Sequence, residues 1–173
     1  MENYKLVTIN SKYCDLLREY DYRVTYNSKE KESRPFVGIL FTIGRYKYFA
    51  PLSSPKPKHL KMKNTIDFYK IDSGRLGAVN FNNMIPVLEE EYQIINVNQK
   101  YITPYDEVYQ NLLRNQLRWL NRNGKGLREK AKILYDKRIN NKLNNKIKNR
   151  CCDYKLLENK ISNYKNNDNW LLC

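Results

Sequence analysis

The dominant hydrophobic period of the 173-residue chain changes near Thr103. Before that point apolar residues come in short β-rich runs separated by Gly, Pro, Asn and Ser. After it they recur at helical spacing. Residues 4–9 alternate like a strand. Ser11 can cap a short helix with Tyr13, Leu17 and Tyr20 on one face. Residues 36–43 and 46–52 are apolar runs joined by Gly44-Arg45, a hairpin signal. Residues 66–71, 76–81 and 84–87 read as further short strands. Thr103-Pro104-Tyr105-Asp106 then reads as a helix start, with Thr as cap and Pro in the first position. Tyr105, Tyr109, Leu112, Gln116 and Leu120 share its expected inward face, and Asn123-Gly124 ends it. Residues 127–148 continue as helix, of which 140–150, rich in Asn and Lys, is an exposed helix end or a loop. Asp153 caps a last helix with Tyr154, Leu157, Ile161 and Tyr164 inward. The expectation is a single α+β domain over residues 1–173, with a twisted, largely antiparallel sheet and flanking helices.

Composition excludes several functions. A 41% hydrophobic, 13% aromatic chain can bury a core. It has no run of about 18 apolar residues and no leader-like start, so a cytoplasmic protein off the membrane is expected. The one histidine, His59, and four cysteines without a CxxC pair supply no zinc spacing, and no Gly-rich nucleotide loop occurs. Neither metal nor cofactor is therefore expected. A hydrolase or ribonuclease built on two histidines is excluded.

The net charge of +14 concerns partners rather than fold. Residues 44–62 hold five Lys/Arg and no acid; residues 121–173 hold fourteen against five. Tyrosines run through both stretches. Cations that hold phosphates, interleaved with rings that stack on unpaired bases, suit RNA. A solvated basic surface is the plain alternative, and a membrane-surface role ranks last because no basic amphipathic helix stands out.

The densest chemistry is Ser53-Ser54-Pro55-Lys56-Pro57-Lys58-His59, directly after an apolar strand. Two prolines are expected to exclude a helix or central strand there. A stiffened loop holding hydroxyls and ammoniums suits transfer at phosphorus, where lysine stabilises charge developing on the phosphoryl oxygens. The 14-residue polar loop over residues 21–34 is long enough to expect a functional role.

Residues 46–56, YKYFAPLSSPK, followed by His59, resemble the "KYxAPL[ST]SPK…H" segment of the ToxN/AbiQ toxins of type III toxin–antitoxin systems. Four further stretches resemble that family in the same order: RPFVGI from Arg34, LGAVNFNNMIPV from Leu76, Tyr109 with Leu112, Leu113 and Gln116, and CCDYKLLE from Cys151. The resemblance implies a MazF/Kid-like fold and a sequence-selective, metal-independent endoribonuclease. It implies that the RNA's own 2′-OH attacks, leaving a 2′,3′-cyclic phosphate. It implies inhibition by a small repeated antitoxin RNA in a ring of three toxins and three RNAs, and a role in phage defence by abortive infection. Carried over by position, Ser54 matches the key serine, Ser53 the residue before it and Lys56 the lysine two beyond. Arg34 stands where some members have lysine, and Tyr26 or Tyr22 is the candidate for a tyrosine in the 21–34 loop. The ordinary lysine pKa near 10.4 makes Lys56 a charge stabiliser or proton donor rather than a base. Lys58, His59, Lys61, Lys63 and Arg45 are the expected RNA-binding residues around the motif. The competing reading is a non-catalytic RNA-binding module in which the Ser-Pro-Lys loop only clamps phosphate.

Overall fold

The computed structural model describes residues 3–26, 34–99 and 103–168, with side chains as far as residue 162. In chain order the elements are β1 (Lys5–Ile9), α1 (Ser11–Tyr20), β2 (Phe36–Gly38), β3 (Thr42–Ile43), β4 (Tyr46–Ser53), α2 (Pro57–Lys61), β5 (Phe68–Lys70), β6 (Ala78–Asn80), β7 (Ile85–Val87), β8 (Tyr92–Ile94), α3 (Pro104–Asn123), α4 (Leu127–Ile139), α5 (Asn145–Arg150) and α6 (Tyr154–Asp168). The eight strands form one antiparallel sheet in the order β5-β6-β4-β2-β1-β8, with β3 and β7 also paired to β4. The fold is thus α+β, as the change of period predicts.

β4 is the spine. Its first half pairs with β3 and β7, its second half with β2 and β6. The β2–β3 side slips register through residues 39–41; Leu40 N–H donates to the Tyr48 carbonyl and Tyr48 N–H to that of Phe41. The other side slips through the single 3-10 turn Phe81–Asn83. Pro51, which has no N–H for a ladder, lies between Phe49, paired to β7, and Leu52, paired to β6. A proline inside a central strand is tolerated because the ladder is already interrupted there.

The helices cover the sheet with the residues their periodicity selects. α1 buries Tyr13, Cys14 and Leu17, with the Asn10 side chain capping its start by accepting from Lys12 N–H. α3 opens on a full capping box between Thr103 and Asp106 and buries Leu113, Gln116 and Leu120. α4 buries Leu127, Ala131, Leu134 and Tyr135, and α6 buries Tyr154, Leu157 and Ile161. Between them Glu158 is buried but satisfied. Its Oε1 accepts from the Tyr48 and Tyr135 hydroxyls at 2.7 and 2.8 Å, and Oε2 pairs with Lys155 at 2.9 Å. This network ties β4 to both C-terminal helices.

Several expectations are corrected. Pro57 does not prevent a helix; it occupies the first turn of α2, where its missing N–H has no intrahelical partner to lose. Tyr105 is 80% exposed rather than inward; the buried residues of α3 begin at Leu113. The helix expected over 127–148 breaks after Ile139. Asn141 adopts φ 57°, and Asn144 caps a separate α5 by accepting from Ile147 N–H. The cap of α1 is Asn10, not Ser11. β8 lies where the sequence pattern predicts no strand. Half of the long polar loop, residues 27–33, and the Tyr164 side chain lie outside the described residues.

A basic cleft as candidate functional site

A cleft of about 600 Å³ opens where β4 ends. Ser53, Asn80, Asn82 and Phe68 are among its lining residues. Lys56, Lys58, His59, Met62, Lys63, Thr65 and Asp67 line one side, and Asn144, Lys146, Ile147 and Arg150 line the other. This size suits one or a few nucleotides rather than a small gas or ion.

The local sequence explains the shape. Ser53 is the last residue of β4, held by its register to Ala78. Gly77 lets β6 approach at that point. It has φ +97°, and a Cβ there would lie 1.9 Å from the Ser53 carbonyl oxygen. Ser54-Pro55-Lys56 then leads away, with Lys56 extended at φ −140° before Pro57 starts α2. Gly74, at φ +95°, would bring a Cβ 2.7 Å from the His59 carbonyl oxygen, so its bare backbone is what α2 packs on.

Ser53 is the best-defined hydroxyl. Asn80 Nδ2 donates to its Oγ at 2.6 Å and to the Pro51 carbonyl at 3.3 Å. An Oγ that accepts from Asn80 keeps its own proton for a ligand in the cleft. Ser54 is exposed on the adjoining loop. Lys56, Lys58 and Lys63 are exposed along the cleft rim, and Lys61 is exposed on α2 without lining it. None of these four ammoniums forms an ion pair among the described residues.

His59 lines the cleft at 2% exposure, its ring 5.7 Å from that of Phe68. Burial lowers its pKa first, and the Lys56 and Lys58 charges push the same way, so it is neutral at physiological pH. Its Nδ1 is buried with no hydrogen-bond partner among the described residues.

The other expected residues lie apart from this lining. Arg34 is half-buried, one residue before the Pro35 carbonyl that accepts from Leu52 N–H. It therefore enters the sheet beside the end of β4; burial lowers its guanidinium pKa. Tyr26 is exposed, its ring 5.2 Å from the Arg18 guanidinium. Tyr22 is exposed too, with Arg23 5.5 Å from its ring. Arg45 sits at the opposite end of β4, against Tyr46. Eight residues of strand place it about 26 Å from Ser53.

The sequence marks the α5 stretch only as basic, and the structure makes it one lining of the cleft. Asp67 is 1% exposed, and its carboxylate accepts from Arg150 Nε at 2.5 Å, from Arg150 Nη2 at 2.9 Å and from the Thr65 hydroxyl at 2.8 Å. Burial raises its pKa, yet these bonds outweigh burial and hold it below the usual carboxylate value. α5 is only six residues long and is fixed from outside. Asn82 Nδ2 donates to the Arg150 carbonyl, Cys152 N–H to the Asn82 carbonyl, and Arg23 to the Lys148 carbonyl. Residues 83 sequence positions apart are thus joined at the cleft; the only signal in the sequence was the basic run itself. Among the described residues, no group of three or more His, Cys, Asp or Glu could hold a metal ion. No helix among them is long and apolar enough to cross a membrane.

Comparison with known proteins gives a consistent set of relatives. Residues 5–162 match the family described as the toxin ToxN of type III toxin–antitoxin systems. The chain is 36% identical over 171 residues to the endoribonuclease ToxN of Bacillus thuringiensis subsp. kurstaki, covering 96% of this chain and 87% of that protein. It is similar at TM-score 0.78 and 36% identity to a structure solved for selective toxin inhibition by a non-coding RNA pseudoknot, over 95% of this chain and 99% of the other. A second structure, from a bacterial antiviral system regulated by a processed non-coding RNA, matches at TM-score 0.74 and 29% identity, over 90% and 96%.

Proposed function

The chain belongs to the ToxN family of type III toxin–antitoxin toxins and is an endoribonuclease; from that premise we propose that it cuts RNA in the basic cleft at the end of β4, without a metal ion. The RNA's 2′-oxygen attacks the adjacent phosphorus as its proton leaves. The bond from phosphorus to the 5′-oxygen breaks, and that oxygen takes up a proton. The products are a 2′,3′-cyclic phosphate and a free 5′-OH. The reaction needs in-line placement, charge stabilisation on the phosphoryl oxygens and proton transfer.

The observation that carries this reading is the convergence of Ser53, Lys56, Lys58, His59 and Lys63 with Lys146 and Arg150 on one cleft. Lys56 stabilises the phosphorane charge or protonates the 5′-oxygen. Ser53 and Ser54 donate hydrogen bonds to the phosphoryl oxygens. Arg34 adds positive charge from the sheet edge, and Tyr26 serves as a proton-transfer or stacking group on the neighbouring loop. Lys58, His59, Lys61 and Lys63 hold the flanking RNA, and Arg45 meets RNA farther along β4.

The partner is an antitoxin RNA, as in the relative inhibited by a pseudoknot. In this reading the 1–173 chain acts as a single cytoplasmic domain. Three copies close a ring with three repeated antitoxin RNAs, and release of the toxin aborts phage infection. Ser54→Ala is expected to remove growth arrest and cleavage while the protein stays folded and still binds RNA. The decisive measurement is incubation of purified protein with RNA in EDTA, followed by identification of the cut ends. Cyclic phosphate ends that disappear in Ser54→Ala support the mechanism. Persistent growth arrest by that variant overturns the role of Ser54, and RNA binding without any cut product favours a non-catalytic module.

A further inference from the structure

The cleft contains two kinds of cation. Lys56, Lys58, Lys63 and Lys146 have no ion pair among the described residues. Arg150 is different: its Nε and Nη2 are both engaged by the buried carboxylate of Asp67. Its side chain is nonetheless 44% exposed and lines the cleft, and Nη1 has no hydrogen-bond partner among the described residues. A bidentate pair fixes the guanidinium plane, so the direction of the remaining N–H groups is fixed too.

Such a pair is poorly suited to attracting phosphate. The carboxylate cancels most of the arginine's field, and burying it carries a desolvation cost that four unpaired lysines avoid. What the pair provides is orientation. An immobilised donor with three free N–H bonds, two of them on Nη1, matches an acceptor on the edge of a base, where direction decides which base is accepted. The surroundings fit a base as well. Phe68, Met62 and Ile147 offer apolar surface for a ring face, and Asn82 and Asn144 line the same cleft. Unpaired RNA is read in this way, by a ring face on apolar groups and hydrogen bonds to its edge.

We propose that Arg150, held rigid by Asp67, is a specificity-determining residue that reads an acceptor on the edge of an unpaired RNA base near the cut. Asp67 is its positioning residue, and the unpaired lysines hold the phosphates. This rests on the cleft being the cleavage site.

The test is single-turnover cleavage of a randomised RNA pool, with sequencing of the cut ends, by wild type, Arg150→Lys, Asp67→Asn and Lys56→Met. Arg150→Lys leaves a cation for Asp67, and Asp67→Asn leaves Arg150 in place but unclamped. Both are expected to keep cutting while the preference at one nucleotide position flattens at least tenfold. RNA affinity and its salt slope should stay near wild type. Unchanged preference with a uniformly slower rate or weaker binding makes Arg150 a phosphate holder or a strut and overturns the proposal. Because either variant can lose stability, melting is measured alongside, and wild-type enzyme is also tested on RNAs with a single base acceptor removed, such as 7-deazapurines or deoxo pyrimidines. One position should slow at least tenfold; equal cutting of all analogues overturns the proposal on the unaltered protein. Lys56→Met separates the two levels. It should slow cutting on the order of 100-fold. A wild-type rate in that variant rejects the cleft as the site, whereas a slow Lys56→Met with unaltered preference in Arg150→Lys rejects only the base-reading role.

Discussion

At the scale of the residue, His59 shows how burial converts a titratable group into a pH-dependent structural element. It is the one histidine of the chain, and its pKa is lowered by burial and by Lys56 and Lys58. Lys63, Asp67 and Arg150 share the cleft with it. A histidine with a lowered folded pKa leaves stability intact above its unfolded value, near 6.5. Below that value the unfolded chain binds the proton more readily, so stability falls as pH drops from about 6.5 toward the folded pKa. The carboxyl of Asp67 adds its own loss only at lower pH, since its folded pKa lies below the ordinary value. The melting temperature of the protein is expected to decline as pH falls from 6.5 to 5. His59→Gln should melt lower at pH 8 yet show a flatter profile over the same interval. Parallel profiles would remove His59 as the cause.

At the scale of the element, the site depends on close backbone approaches more than on helix or strand propensity. β4 carries the motif, but β6 decides where its last residue lies, and β6 can come that near only through Gly77. Gly77→Ala places a methyl against the Ser53 carbonyl at a positive φ. It is expected to destabilise by at least about 2 kcal/mol and to lower cleavage further by displacing Ser53. Gly126, also at positive φ, has nothing within 4 Å of a built Cβ and provides the comparison. Gly126→Ala should cost only the backbone strain, about 1 kcal/mol, and leave cleavage unchanged. Denaturant unfolding of both variants, with cleavage at a temperature where both are folded, separates the effects. Equal losses in stability and activity would mean that contact with Ser53 is immaterial. The helices illustrate the opposite case: the Thr103–Asp106 capping box and the inward residues Tyr154, Leu157 and Ile161 of α6 follow from local chemistry and appear where the pattern places them.

At the scale of the whole molecule, the net charge of +14 becomes a directed surface. Lys56, Lys58 and Lys63, from α2 and the residues flanking it, share one cleft with Lys146 of α5. RNA binding there should release one counterion per neutralised phosphate, with a log–log salt slope of about −0.7 per contact for single strands. Four unpaired lysines give a slope of roughly −3 for a single-stranded substrate. Substrate and antitoxin RNA should compete for this surface. Filter binding between 50 and 300 mM salt, as an experimental range, together with competition measurements checks both points. Salt-independent affinity would remove the electrostatic basis, and simultaneous binding of both RNAs to one protomer with unimpaired cleavage would separate the two sites.

What the sequence determined by itself was local or short in range. The change from strand-length runs to helical spacing set the fold class. The capping box set the start of α3, and the SSPKPKH segment marked the end of β4. Each depends on neighbours within a few positions, which is the reach of backbone sterics, capping and side-chain periodicity. Tertiary structure decided what depends on distant partners. Where Pro51 can sit in a central strand and how near β6 comes to Ser53 both follow from registers set across the sheet. The far wall of the cleft is the clearest instance. Nothing near Asp67 in the chain predicts that a carboxylate is buried there, because its partner is Arg150, at the end of a six-residue helix too short to be stable alone. That helix exists because Asn82, Arg23 and Asp67 hold it. A buried charge needs its counter-charge in place before it can leave water, and only the folded chain brings the two together.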